Sequence, residues 1–260
     1  MNLSQWMSCY QKILKDFGFS QDDDEKSAQL LNQLLKLQDR LSPWDLPVKE
    51  KALIFGAGPS LKRNLHQLQE LEQHQEIKLD EFTIIAADGA TTALLEEDLI
   101  PDVVVTDLDG KMENLYQANR EGAVLVVHAH GDNPEKLEKH VPHLDRVMGT
   151  TQSQPVGRVH NWGGFTDGDR AVFLAVELGV KMMVLAGMDF GTKTTRYSRP
   201  DLGGEVAEAD QIKKLKLQYA KKLVEWVAKH EEVCILNISG GETMKGVKDI
   251  PVSRIKEYWY

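Results

Sequence analysis

The sequence contains little cysteine and no long apolar run, and both absences restrict what the protein can be. Its two cysteines, Cys9 and Cys234, lie far apart in 260 residues and form neither a metal-ligand spacing nor a redox motif. We interpret them as reduced thiols. No apolar run approaches the roughly 20 residues that cross a bilayer, and the polar N-terminus lacks the apolar core of a signal peptide. The sequence therefore predicts a cytoplasmic protein without a membrane partner.

Positive charge is also scarce. The formal net charge is −9 at pH 7, whereas a protein that binds nucleic acid through phosphate contacts needs a basic surplus. Nucleic acid is therefore not an expected partner. Small phosphorylated ligands stay possible, because a local cation or a metal ion can reverse the field within one site.

The N-terminal residues, 2 to about 40, are predicted to be helical. Apolar residues recur there at steps of three and four, as on one face of a helix: Trp6, Tyr10, Ile13, Leu14 and Phe17. Pro43 and Pro47 then mark a connection. We predict a helical segment at residues 1–45 and a larger α/β domain at 46–260. An exposed apolar stripe on these helices would be a candidate interface for a homo-oligomer.

From residue 51 the pattern changes to short apolar runs separated by helix-like stretches. The runs include "KALIFGAG", "FTIIAADGA", "PDVVVTDLDG", "GAVLVVHAHGD", "VKMMVLAGMDFG" and "EVCILNISGG". Strands that are apolar on both faces and alternate with helices are typical of a mostly parallel sheet. Right-handed crossovers place helices on both faces of such a sheet. The fold class is therefore α/β, with a doubly wound, mostly parallel sheet.

Acidic residues follow several of these runs, where ligands bind in such sheets. Asp107 and Asp109 come directly after a run of valines and would point to the same side of an extended chain. Carboxylates at a strand end suit Mg²⁺, and Asp88 and Asp132 are further candidate ligands. The alternatives stay open: an Asp-Gly turn in solvent for the pair, and a helix cap for Asp88.

A glycine turn follows the first run. Gly56 and Gly58 let the backbone approach a ligand, and the helix that begins near Ser60 would offer free N–H groups to a phosphate. A dinucleotide fingerprint would need a third glycine where Leu61 stands, which disfavours NAD. A turn that serves packing alone is the alternative.

Two further segments carry candidate binding groups. "HAHGDN" holds His128 and His130, for which a place in a site wall is favoured over a zinc site. The pair Gly163-Gly164 precedes an apolar helix that starts near Asp167 and Asp169, where capping is the alternative role. Trp162 and Phe165 flank the glycines and would either stack a flat heterocycle or pack in the core.

A basic, irregular segment contains Lys193, Arg196 and Arg199, and such segments can close over phosphates. The next helix carries Lys213, Lys214 and Lys216. Its lysines are predicted to form mostly a solvated face.

Taken in order, "ADGA", "PDVVVTDLDG", "HAHGDN", "GGFTDGDRA" and "LAGMDFG" closely resemble the archaeal 6-hydroxymethyl-7,8-dihydropterin pyrophosphokinases, a family similar to thiamine pyrophosphokinase. The resemblance covers roughly residues 45–250. Thiamine enzymes usually have Ser where this chain has Gly110, and their "GGRxDH"-like segment is matched only loosely. These departures favour the pterin as substrate.

The resemblance implies transfer of diphosphate from ATP to the hydroxymethyl group of the pterin, with release of AMP, in methanopterin or folate biosynthesis. It implies a thiamine-pyrophosphokinase-like fold and Mg²⁺ as cofactor. Thiamine pyrophosphokinase and a non-catalytic or glycan-related module are the alternatives. The implied residues are Asp107, Asp109 and Lys193 for catalysis, Asp107, Asp109, Asp88 and Asp132 for the metal, Gly56, Gly58, Ser60, Asp88 and Arg196 for ATP, and Asp167, Gly164, Phe165, Trp162 and His130 for the pterin.

Overall fold

A parallel sheet of nine strands organises the fold, and the computed structural model describes residues 1–38 and 41–258. The sheet strands in chain order are β1 (Lys51–Phe55), β2 (Thr83–Ala87), β3 (Val103–Thr106), β4 (Val124–Ala129), β5 (Val147–Thr151), β6 (Val159–His160), β7 (Met182–Ala186), β10 (Cys234–Asn237) and β11 (Lys248–Asp249). Their spatial order is β11-β10-β7-β1-β2-β3-β4-β5-β6. Outside this sheet, β8 (Lys193–Thr195) and β9 (Val206–Glu208) form an antiparallel hairpin.

Helices cover both faces of the sheet, which confirms the predicted fold class. In the described residues the α-helices are α1 (Leu3–Phe17), α2 (Gln21–Leu35), α3 (Leu61–Gln73), α4 (Ala90–Leu95), α5 (Met112–Arg120), α6 (Pro134–His140), α7 (Asp167–Glu177) and α8 (Gln211–His230). Short 3₁₀ helices lie at Pro43–Asp45, Leu79–Glu81, Val141–His143 and Val252–Tyr258. Helices α2 to α6 pack on one face, and α1, α7 and α8 pack on the other.

The central strands are mostly apolar because each one contributes to both layers. Along β1, Leu53 and Phe55 join the cluster under α2 to α6, whereas Ala52 and Ile54 join the cluster under α1, α7 and α8. This alternation follows from the two-residue period of an extended chain. It explains why the apolar runs in the sequence are continuous.

The N-terminal helices pack against the rest of the chain. The apolar stripe of α1 is almost completely buried, so it does not offer the exposed surface that the sequence analysis named as a candidate oligomer interface. Trp6 donates through Nε1 to the carbonyl of Gln152 at 2.8 Å, and Tyr10 donates to the carboxylate of Asp24 at 2.6 Å. The helices end at Phe17 and Leu35; Asp39 and Arg40, in the helical stretch predicted to reach about residue 40, lie outside the described residues. The division at residue 45 stays a prediction.

The state of the cysteines agrees with the sequence analysis. Cys9 and Cys234 are free thiols. Within residues 1–38 and 41–258, no helix combines the length and the apolar character that crossing a membrane requires.

The strand order creates a crevice at the carboxyl edge of the sheet. From β1 the chain proceeds outward to β6 and then returns to β7 on the other side of β1. Ligands bind where the direction reverses in this way. The loops that follow β1, β2, β3, β4 and β7 converge there on a cavity of about 540 Å³.

Candidate active site

The cavity gathers most of the residues that the sequence singled out. Of the fourteen residues assigned to catalysis, metal or substrate binding, ten line it: Gly56, Gly58, Asp88, Asp107, Asp109, His130, Asp132, Phe165, Asp167 and Lys193. Four predicted residues, Ser60, Trp162, Gly164 and Arg196, do not line it.

The central feature is a cluster of three carboxylates. Asp88 follows β2, Asp107 follows β3, and Asp167 begins α7. Each is half-buried, and one carboxylate oxygen from each lies within 4.8 Å of the others. This acid triad is a set of hard oxygen donors of the kind that Mg²⁺ binds in proteins. It includes Asp167, which the resemblance assigned to the substrate.

Burial and mutual repulsion in the acid triad favour the binding of a cation. Burial and repulsion from Asp107 raise the pKa of Asp88 to about 7. Burial and repulsion from Asp107 and Asp88 raise the pKa of Asp167 well above its ordinary value. Burial alone would also raise the pKa of Asp107, but His130, with Nε2 at 3.6 Å from its carboxylate, and the charges of Lys216 and Lys136 together lower it. The three groups therefore do not ionise together at neutral pH without a compensating positive charge.

Asp107 and Asp109 do not act as a pair on one side of the chain. Strand β3 ends at Thr106, and Leu108 has a left-handed backbone with φ of 66°. This turn separates the two acids, since Asp109 pairs with Lys136 and its side chain is 60% exposed. The same-side expectation applied to a strand that continues past Thr106, and β3 ends at that residue. Asp132 is likewise peripheral, with a side chain that is 77% exposed.

Asp88 is held by the neighbouring strand rather than by a helix end. Thr106 donates its hydroxyl to Asp88 at 2.5 Å and accepts from the amide of Leu108 at 2.8 Å. Gly110 comes so close that a Cβ there would lie 3.0 Å from both carboxylate oxygens of Asp88. The residue at the N-cap of α4 is Gly89.

At the start of α7 two acids have different roles. Asp169 is buried and accepts from the amides of Phe165 and Thr166 at 2.6 and 2.8 Å, so it caps the helix. Asp167, by contrast, reaches the acid triad. The capping role proposed as an alternative for both acids fits only Asp169.

Asn133 is a site residue that the sequence analysis missed. It is buried, and its Nδ2 donates to the backbone carbonyls of Asp107 at 3.0 Å and His128 at 2.8 Å. Its Oδ1 accepts from the amide of His130 at 3.0 Å. One side chain thus ties the loop after β3 to the end of β4. Only its position in "HAHGDN" could have drawn attention to it.

We expect Asn133→Ala to lower the free energy of unfolding by about 2 kcal/mol, because three backbone groups lose a partner inside the protein. Turnover should fall about tenfold, since Asp107 and His130 lose their common support. Chemical denaturation and steady-state kinetics measure the two effects. Asn114→Ala, which removes one hydrogen bond to Thr92, should cost about 1 kcal/mol and leave turnover unchanged. Equal turnover in both variants would contradict this role of Asn133.

The glycine turn holds a carboxylate of the chain itself. The amide and hydroxyl of Ser60 both donate to one oxygen of Asp189, at 3.1 and 2.9 Å. Asp189 follows β7, next to β1 in the sheet. The donors that were expected to bind a phosphate are therefore already used at Ser60. A second anion on the same donors would meet a fixed negative charge.

We expect Gly58→Ala to be strongly destabilising, by about 3 kcal/mol. A Cβ at this position would lie 2.2 Å from the Asp189 carboxylate and 2.5 Å from the carbonyl of Gly187. The clash could be relieved only if the loops that follow β1 and β7 moved apart. Gly203→Ala is the control, since among the described residues, its chain neighbours aside, no atom lies within 4 Å of a Cβ placed there. Thermal denaturation compares them, and a Gly58→Ala protein as stable as the control would refute the tight contact.

A buried arginine fixes the glycine pair before α7. Arg170 donates to the carbonyls of Gly163 and Gly164 at 3.3 and 2.7 Å and to Nε2 of His128 at 3.3 Å. Burial and the charge of Arg170 lower the pKa of His128 well below its ordinary value. His128 is therefore a neutral acceptor in the site wall, stacked on His130 at 5.4 Å. Gly164 is tied to Arg170 and does not line the cavity.

Two more predicted residues have partners outside the cavity. Arg196 pairs with Glu96 at 3.6 Å and Glu205 at 3.1 Å, on the surface. Trp162 stacks on His160, with ring centroids 5.0 Å apart. Phe165 alone of the two aromatic candidates lines the cavity, where it contacts the rings of Phe17, Phe19 and Tyr219.

Comparisons with known proteins agree with one another. A family model described as MptE-like 6-hydroxymethylpterin diphosphokinase matches residues 25–195. A protein named 6-hydroxymethyl-7,8-dihydropterin pyrophosphokinase from Methanothermobacter thermautotrophicus is 51% identical over 90% of this chain and 99% of its own length. Proteins of the same name from Methanocaldococcus jannaschii and Pyrococcus furiosus are 44% and 41% identical, over 90% and 92% of this chain and 98% and 100% of their own lengths.

A solved structure shares the fold. The MAf glycosyltransferase from Magnetospirillum magneticum AMB-1 superposes with a TM-score of 0.60 at 16% sequence identity. The match covers 91% of this chain and 39% of the glycosyltransferase. At this identity the likeness concerns the fold alone.

Proposed function

The chain belongs to the MptE-like family of 6-hydroxymethylpterin diphosphokinases, and from this premise we propose that it transfers diphosphate from ATP to 6-hydroxymethyl-7,8-dihydropterin. The pterin's hydroxymethyl oxygen attacks the β-phosphorus, the bond from that phosphorus to the oxygen bridging to the α-phosphate breaks, and AMP leaves. The observation that carries the proposal is the acid triad in the crevice of the sheet. Phosphoryl-group transfer needs positioning and charge neutralisation more than covalent help from the protein.

Mg²⁺ is the proposed cofactor, and the donor set fits it. Asp88, Asp107 and Asp167 offer oxygens within 4.8 Å of one another, and their mutual repulsion disappears when a divalent cation binds. Bound there, Mg²⁺ would neutralise charge on the phosphate oxygens during transfer. Asp109 and Asp132 would then not coordinate the metal directly, in agreement with the exposure of their side chains.

The remaining residues of the cavity serve the two substrates. Lys193, at the start of β8, lines the cavity and supplies positive charge for the phosphates. Phe165 is 8% exposed and offers an aromatic wall for the flat pterin ring. His130 is oriented by Asp107 and borders the same space. The proposed set omits Arg196 and Trp162, which bind elsewhere.

The thiamine alternative is disfavoured by the names of the relatives and by one local feature. Gly110 lies against Asp88, and the serine that thiamine enzymes usually have at this position would bring Cβ to 3.0 Å from its carboxylate. The non-catalytic or glycan-related alternative has only the fold likeness to the glycosyltransferase behind it. The pathway that uses the product, the oligomeric state and the cytoplasmic location stay predictions.

One assay tests the proposal. The protein is incubated with ATP and Mg²⁺, and either the dihydropterin alcohol or thiamine is added, with AMP as the readout. We expect AMP with the pterin alone. AMP with thiamine alone would replace the proposed substrate, and no AMP with either would contradict diphosphokinase activity.

A further inference from the structure

Two lysines of α8 line the cavity that contains the acid triad. Lys213 and Lys216 are half-buried and border the same space as the acid triad. Among the described residues neither forms an ion pair, whereas Lys214 between them pairs with Glu208 at 3.4 Å. A solvated lysine face, as the sequence predicted, would not bring two ammonium groups to a cavity wall.

The nearby arginines and the donors of the glycine turn are engaged. Arg196 pairs with Glu96 and Glu205, and Arg199, which lines the cavity, pairs with Asp210. The donors of Ser60 in the glycine turn hold Asp189. A triphosphate in this cavity therefore finds its free positive charge mainly on α8, together with the exposed Lys193.

The two lysines are also held close together in a sheltered place. Lys216 lies over the ring of Phe19, with its ammonium nitrogen 5.8 Å from the centroid. Burial and the nearby charge of Lys216 lower the pKa of Lys213, while Asp167 and Asp107 act in the opposite direction. Two like charges confined in this way favour an anion between or beside them.

We propose that Lys213 and Lys216 bind the triphosphate of ATP on the α8 wall of the cavity, while the metal held by the acid triad contacts it from the strand ends. This inference rests on the proposed function and names residues that bind the phosphates of its nucleotide substrate. It assigns a role to α8, a helix beyond residues 25–195, where the family model matches.

Calorimetry with the full-length protein tests the inference without turnover. MgATP and magnesium tripolyphosphate are titrated into the wild type, Lys213→Met, Lys216→Met, the double variant and the control Lys214→Met. We expect each single cavity variant to bind both probes about tenfold more weakly, the double variant about a hundredfold, and the control like the wild type. Lys213→Arg and Lys216→Arg keep the charge and should restore most of the affinity.

Kinetics then separate a phosphate role from a general one. In both cavity variants the KM for ATP should rise about tenfold while the KM for the pterin stays unchanged. Cavity variants that bind both probes like Lys214→Met would overturn the inference, and so would a rise in the pterin KM alone. Wild-type protein that binds MgATP yet releases no AMP would refute the proposed function while leaving the lysine test intact.

Discussion

Asp107→Asn is expected to lower kcat about 10³-fold, a loss of roughly 4 kcal/mol of transition-state stabilisation. The substitution keeps the size of the side chain and removes one charge from the acid triad, so the fold should persist. Without metal, thermal stability should hold or rise, because Asp88 and Asp167 each lose a repelling neighbour. Asp109→Asn, two residues away and exposed on its pair with Lys136, should cost less than about tenfold, as surface ion pairs usually contribute little.

The comparison of the two variants distinguishes two interpretations of the Asp-x-Asp pattern. Turnover at saturating ATP and pterin, circular dichroism and thermal melts in a chelator would be measured on both. Equal, severe losses would mean that the two acids act as a unit, as the sequence spacing suggested, and that the turn at Leu108 does not separate their roles. Wild-type turnover in Asp107→Asn would exclude the metal role altogether.

The fold could be predicted from the sequence because the pattern that identifies a buried strand is local. A strand covered on both faces must be apolar at every position, so runs such as Val103–Thr106 stand out without any knowledge of their neighbours. The edge at which such strands end also follows from topology alone. Asp88 and Asp107 were therefore selected from the sequence, and the structure brings them together.

The composition of the acid triad was less accessible because it depends on backbone conformation at single residues. Leu108 adopts φ of 66°, a conformation that bulky residues rarely adopt and that no spacing argument anticipates. After this turn the side chain of Asp109 is exposed and pairs with Lys136 at the cavity. The third acid of the triad is instead Asp167, at the start of α7 and remote in sequence. Thr166 and Asp169 cap that helix, so Asp167 is not used as a cap.

Long-range partners account for the rest of what sequence reasoning missed. Ser60 meets Asp189 across 129 positions, and Arg170 meets His128 across 42. Such pairs arise only when the parallel strands bring their ends together. The lysines of α8 are a similar case, since their helix has a regular amphipathic pattern and only packing shows that Lys213 and Lys216 line the cavity.

In the metal-free protein, the contribution of Asp88 to the free energy of unfolding is expected to fall as pH rises from about 4 to about 8. The pKa of Asp88 is about 7 in the folded protein against an ordinary value of 3.8, so the folded state holds a proton that the unfolded state has lost. More protons bound to the folded state mean that stability decreases with pH in this window. A difference of this size corresponds to on the order of 4 kcal/mol, and Asp167, whose pKa is also raised, acts in the same direction.

Mg²⁺ reverses this slope, because it binds the ionised acids and thereby favours the folded state most at high pH. At a hundredfold excess over its dissociation constant, a ligand adds about 2.7 kcal/mol, and protonation of Asp88 should weaken that gain below about pH 7. Urea denaturation at several pH values, in a chelator and in Mg²⁺, measures both effects. Asp88→Asn should flatten the metal-free slope and abolish most of the response to Mg²⁺, whereas Asp109→Asn should preserve both. If the metal-free stability of Asp88→Asn depended on pH as that of the wild type does, the acids at the strand ends would not repel each other as we infer. The evidence for a cation at this edge of the sheet would then come from the kinetics of Asp107→Asn alone.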